Sequence, residues 1–66
     1  MKLLINGETK QVPDAVSVEA LLKTMGYDSK SIAVAVDGTF VPRHLYTTQT
    51  LRESQELDIV APMQGG

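Results

Sequence analysis

The chain has no cysteine and no tryptophan, and only one phenylalanine, two tyrosines and one histidine among its 66 residues. Without cysteine there are no disulfide staples, no thiolate nucleophile and no Cys-based zinc site. The six Lys and Arg residues are scattered, with no basic stripe and no aromatic platform, and the net charge is −2. Nothing in that pattern favours nucleic acid as a partner. The longest apolar runs, Leu3-Leu4-Ile5 and Ile32-Ala33-Val34-Ala35-Val36, fall far short of a bilayer span, so no membrane association is expected. No charged start leads into a long apolar stretch, because Asn6, Gly7 and Glu8 interrupt it. With neither a secretory signal nor a cysteine, the expected location is cytoplasmic. No nucleophile–base pair and no cofactor motif is present, and a ligand cleft of roughly 300–1,000 Å³ would consume most of so small a core. An enzyme is the weakest functional class, and neither a cofactor nor a metal is expected.

What remains is ordinary globular material, 42% hydrophobic and 21% charged. A chain this short makes one domain and buries only about 60% of the surface its unfolded form exposes. Lys2-Leu3-Leu4-Ile5 reads as a strand, and Asn6-Gly7 behind it is a strong two-residue hairpin signal. Thr9 to Val12 is then the returning strand, closed by Pro13. Ser17 is placed to cap a helix in which Val18, Leu21, Leu22 and Met25 form one apolar stripe, and Gly26 ends it as a left-handed residue. Ile32–Val36 is a continuous apolar run with β-branched residues; Asp37-Gly38 is a second hairpin turn, and Thr39-Phe40-Val41 its short partner, stopped by Pro42. Arg43 to Leu51 shows neither period and reads as a turn or 3₁₀ segment, and Glu56 to Val60 alternates as a last strand.

Two hairpins with one helix between them exclude a doubly wound sheet. They predict an α+β roll: a mixed sheet of about five strands with one main helix across one face. Leu3 and Ile5 would face the helix beside Leu57 and Ile59, with the first and last strands parallel in the middle of the sheet. Leu4 and Val60 would face away. The expected division is a folded domain over residues 1–61 and a flexible Gly-Gly tail over residues 62–66.

The end of the sequence is its most informative part. Two glycines there would occur by chance in roughly one chain in 200. From Pro62 to Gly66, at about 3.3 Å per residue, the tail would reach roughly 16 Å beyond the sheet. Residues without a Cβ can thread a narrow channel and leave a carboxylate sterically open to another protein's active site. The plainer reading is a frayed terminus.

Leu3-Leu4-Ile5-Asn6-Gly7-Glu8, Val34-Ala35-Val36-Asp37-Gly38, Val41-Pro42-Arg43 with Tyr46 three residues on, and Met63-Gln64-Gly65-Gly66 together carry a resemblance that covers nearly the whole chain in order. The chain resembles the ThiS family, small sulfur carriers of thiamine biosynthesis within the ubiquitin-like β-grasp group. One departure is visible: Ser54-Gln55 stands in the turn before the last strand, where family members often have Gly-Asp. The resemblance implies that an adenylyltransferase related to the ubiquitin-activating enzymes (ThiF-type) adenylates Gly66, with Met63, Gln64 and Gly65 threading its active site. A sulfur donor, such as a cysteine desulfurase, then yields a Gly66 thiocarboxylate, and a thiazole synthase (ThiG-type) takes the sulfur. The carrier contributes a terminus and a docking surface, with no acid, base or metal of its own. Two alternatives share fold and tail: the small subunit of molybdopterin synthase, and a ubiquitin-like modifier joined to lysines of other proteins. A third is a plain interaction domain.

For docking, Leu4, Phe40 and Val60 are the candidates, as apolar residues expected on the face away from the helix. A register slip of one residue would instead place them in the core. Glu53, Glu56 and Asp58 offer an acidic edge that would steer toward a basic partner, with a solvated face as the plainer reading. His44 has no cysteine or acidic cluster around it and reads as neither ligand nor base. Arg43 is expected to bond a neighbouring carbonyl or carboxylate in a structural role. Met25 reads as core, and Tyr27 and Tyr46 as rings that pack while their hydroxyls stay wet.

Overall fold

Both two-residue turns form with the backbone their residues predict. Asn6 and Gly7 lie at φ 51° and 85°, and Asp37 and Gly38 at φ 50° and 82°, the paired positive values of a type I′ hairpin. In the computed structural model, which describes residues 1–61, the strands are β1 (Lys2–Ile5), β2 (Glu8–Gln11), β3 (Ala33–Val36), β4 (Thr39–Val41) and β5 (Glu56–Val60). The helix α1 spans Val18–Thr24, and short 3₁₀ turns cover Ser29–Ser31 and Arg43–Leu45. β2 begins and ends one residue earlier than the sequence suggests, because the tight turn fixes Ile5 opposite Glu8. The expected tail lies outside the described residues.

The sheet order is β2-β1-β5-β3-β4. β1 and β5 pair in parallel at its centre, with Ile5 opposite Leu57, and every other pairing is antiparallel. Leu3, Ile5, Val34, Val36, Leu57 and Ile59 are buried on one face together with Val18, Leu21 and Leu22 of α1. The strand periodicity of two and the helical spacing of three and four therefore meet in one core.

The helix is under two full turns and depends on partners at both ends. Its first four N–H groups are all satisfied. Val18 donates to the Gln49 carbonyl, Glu19 to that of Tyr46, Ala20 to the Ser17 hydroxyl and Leu21 to the Ser17 carbonyl. At the other end the Gly26 N–H donates to Lys23 and the Tyr27 N–H to Leu22, the Schellman pattern, with Gly26 at φ 82°. The segment after Pro42, irregular in sequence, is thus the cap on which α1 sits. Tyr46 anchors it: its carbonyl accepts from the helix start and its ring packs in the core, leaving the residue only 2% exposed. Among the described residues no side-chain oxygen is buried without a partner, so the Tyr46 hydroxyl, which makes no hydrogen bond to them, meets solvent as expected. Tyr27 and Met25 are partly buried against the core.

Side chains of the two turns also reach β5. Asn6 Oδ1 accepts the Ile59 N–H at 2.7 Å, where β1 has ended and offers no carbonyl. Asp37 Oδ1 accepts the Glu56 N–H at 2.9 Å, and its other oxygen accepts from the Gln55 amide at 3.2 Å. Ser54, in the turn that departs from the family pattern, adopts φ 67°, which explains why glycine suits that place.

Asn6→Ala is expected to cost about 1–3 kcal/mol in urea unfolding, since the half-buried Ile59 N–H loses its acceptor. Asn6→Gly keeps the turn and should still be destabilised; wild-type stability of that variant would assign the role of Asn6 to the turn alone. Ser54→Gly removes the left-handed strain of roughly 1 kcal/mol and, after the entropy glycine adds to the unfolded chain, should leave a small net gain in midpoint.

Candidate functional site

The face of the sheet away from α1 is built by the residues that alternate with the core. β1 contributes Lys2 and Leu4, β5 contributes Glu56, Asp58 and Val60, β3 contributes Ala33 and Ala35, and β4 contributes Phe40. The expectation that Leu4, Phe40 and Val60 face away from the helix holds, and the register slip that would have buried them is absent. Phe40 is 64% and Val60 57% exposed, and Leu4 is half-buried.

Register decides which of them meet. Ala35 lies opposite Phe40 on one side and Asp58 on the other, while Ala33 lies opposite Val60. Phe40 and Val60 therefore flank β3 within two residues of one another along the strand. Leu4 is opposite Glu56, four residues before Val60, which sets it about 13 Å back along the sheet. The alanines were read in the sequence only as part of a continuous apolar run. The signal was there as size rather than polarity, since alanine and valine alternate from Ala33 to Val36 with the valines buried.

β5 ends at Val60 beside Ala33, so the chain leaves the sheet at the end that carries the Asn6-Gly7 turn. The neighbouring Arg43 is structural, as expected. Its Nε donates to the Ser29 carbonyl at 3.2 Å and its Nη2 to that of Lys30 at 3.3 Å, tying the segment after β4 to the segment before β3. His44 is exposed. Met63, Gln64, Gly65 and Gly66 lie outside the described residues.

An open groove of about 400 Å³ runs beside β4, lined by Val36, Thr39, Pro42, Leu45 and Gln49 among others. No group of three His, Asp or Glu side chains able to hold a metal occurs among the described residues. No helix among them is long and apolar enough to cross a membrane.

The model of the ThiS family matches residues 3–66. Over all 66 residues the chain is 39% identical to a thiazole synthase of Paramagnetospirillum magneticum, of which it spans only 20%. It is 24% identical to an uncharacterised protein of Porphyra purpurea, covering 93% of that protein. The fold matches the crystal structure of a thiamine biosynthesis protein, ThiS, from Geobacter metallireducens with TM-score 0.87, 22% identity and complete coverage of both chains. A solution structure from the same organism gives TM-score 0.83 at 22% identity, covering all of this chain and 88% of that one. This is the α+β roll that the order of hairpins and helix predicts, and the β-grasp fold that the resemblance implies.

Because Phe40 and Val60 contribute little to the core, Phe40→Ser and Val60→Thr should each change the unfolding free energy by less than about 0.5 kcal/mol. Leu57→Ala, at 0% exposure, should cost about 2–5 kcal/mol in the same urea titration. A large loss from either outer-face variant would mean that this face is packed against something within the chain.

Proposed function

Because the chain belongs to the ThiS family, we propose that it is a sulfur carrier of thiamine biosynthesis, acting through the carboxylate of Gly66. The observation that carries this reading is the family match, which runs through Gly65 and Gly66 rather than stopping with the folded domain.

The chemistry follows from the weakness of a carboxylate as an electrophile. An oxygen of the Gly66 carboxylate attacks the α-phosphorus of ATP on a ThiF-type adenylyltransferase, pyrophosphate leaves, and an acyl-adenylate forms. A sulfur nucleophile, supplied from a donor such as a cysteine desulfurase, then attacks the carbonyl carbon and AMP departs. That donor's sulfur is carried as a persulfide, so the attack gives an acyl disulfide; a thiol then cleaves its S–S bond, leaving a thiocarboxylate on Gly66 and a disulfide between thiol and donor. A ThiG-type thiazole synthase draws on that thiocarboxylate. The carrier works as a carrier, not as a catalyst, and in the cytoplasm. Met63, Gln64 and Gly65 act as the thread that enters each partner's channel, carried by the domain of residues 1–61.

Association with a thiazole synthase is supported by the relative in which a segment 39% identical to this chain forms one fifth of a protein of that name. Two functions held on one polypeptide share a high effective concentration, and separate chains must recover that advantage by docking. Phe40 and Val60, with the half-buried Leu4 farther back on the same face, supply the docking face, since exposed apolar side chains on a sheet this small favour a covering partner.

Intact mass spectrometry after incubation with ATP, the adenylyltransferase and a sulfur source should show a gain of about 16 Da, one oxygen exchanged for one sulfur. An unchanged mass with an enzyme shown to be active on another carrier would reject the reading, and lysine-linked adducts would assign a modifier instead. Gly65→Ala should fold normally yet be activated more slowly, because only the channel feels the added methyl. Activation at the wild-type rate would remove the narrow-channel argument.

A further inference from the structure

We propose that the outer face carries a receptor for an arginine side chain of a partner protein, formed by Phe40, Ala35 and Asp58. The inference rests on the reading of this face as the docking face and is independent of the chemistry at Gly66.

Phe40 and Asp58 share one register partner, Ala35, so the three side chains form a single row across β4, β3 and β5. Adjacent strands lie about 4.8 Å apart, which sets the Cα atoms of Phe40 and Asp58 about 10 Å apart with only a methyl group between them. A long side chain on each flank and a short one in the middle make a trough. Ala33 continues its floor along β3, and Val60, opposite Ala33, adds an apolar rim.

The walls determine the occupant. One is a carboxylate, and the other is an aromatic ring that is 64% exposed. The Asp58 carboxylate makes none of the salt bridges and side-chain hydrogen bonds among the described residues. Lys10 on the edge strand is paired with Glu8, and Glu56 adds a second exposed carboxylate on the same strand and face as Asp58. The complementary group is cationic, flat and carried on an aliphatic stem. An arginine meets all three conditions: its methylenes lie over the alanines, its plane stacks on Phe40 and its N–H fork meets Asp58. A lysine would satisfy the charge alone, as a hydrated point charge without the planar fork.

The test is a titration of the isotopically labelled chain with N-acetyl-arginine amide and, separately, with N-acetyl-citrulline amide, which has nearly the same shape without the charge. Amide resonances of Ala33, Ala35, Phe40 and Asp58 should move saturably with the arginine probe and not with citrulline. Asp58→Asn and Ala35→Leu should abolish the response, the second by filling the trough while leaving the charge in place. Phe40→Leu, which leaves the carboxylate in place, should weaken it about two- to fivefold. Equal shifts from the two probes, an absence of shifts at these positions, or an arginine response that survives Ala35→Leu would each overturn the proposal. No activating enzyme or sulfur source enters the measurement, so its failure leaves the mass-gain test of the carrier reading untouched.

Discussion

The parallel register of β1 against β5 is the constraint on which the remaining structure depends. It joins the two ends of the folded chain at the centre of the sheet, with Leu4 opposite Glu56 and Ile5 opposite Leu57. Both hairpins then have fixed seats, β2 outside β1 and β4 outside β3. The contact closes nearly the whole chain into a loop, a conformational cost that local structure cannot offset and that burial of Leu3, Ile5, Leu57 and Ile59 must. The turn side chains reinforce this centre. Asn6 and Asp37 each take up a β5 N–H, so the same two residues that reverse the chain also lock the middle strand.

The segment between β4 and β5 shows how a stretch without periodicity can be structurally specific. It carries no extended strand and only one short 3₁₀ turn, yet it supplies two carbonyls to the first turn of α1 and a bridge between Thr50 and Ser17. Leu51 and Tyr46 bury their side chains there, at 1% and 2% exposure. A seven-residue helix is marginal alone; this segment, with the Ser17 cap and the Gly26 terminator, removes the unsatisfied donors that would fray it.

Much of this was legible in the sequence wherever the determinant was local. Asn6-Gly7, Asp37-Gly38, the Ser17 cap and the Gly26 stop each act within a few residues, and each appears where it was read. Alternation in Glu56–Val60 likewise assigned Leu57 and Ile59 inward and Val60 outward. What was not legible depended on distant partners. The bond from Ile59 to Asn6 and the particular carbonyls, of Ser29 and Lys30, that anchor Arg43 follow only once the sheet order is known. The positive φ of Ala15 and Ser54 carried no signal either, because neither residue type favours that region. For the candidate site, alternation revealed which side chains face outward, but cross-strand register was needed to bring Phe40, Ala35 and Asp58 into one row and to separate Leu4 from them.

A membership in the ThiS family and a sheet with two unlike faces fit together on physical grounds. In so small a chain one face of the sheet and the apolar stripe of one helix are committed to the core, leaving the outer face as the broad surface free to vary without loss of the fold. Selection for solubility alone would cover that face with charge, as it does on β2, where all four residues are exposed and polar. Instead β3 and β4 present Ala33, Ala35 and Phe40, with Val60 beside them and carboxylates alongside. An exposed aromatic ring over a floor of methyl groups adds little to folding and raises the hazard of association, and that imbalance is the physical ground on which a covering partner is proposed.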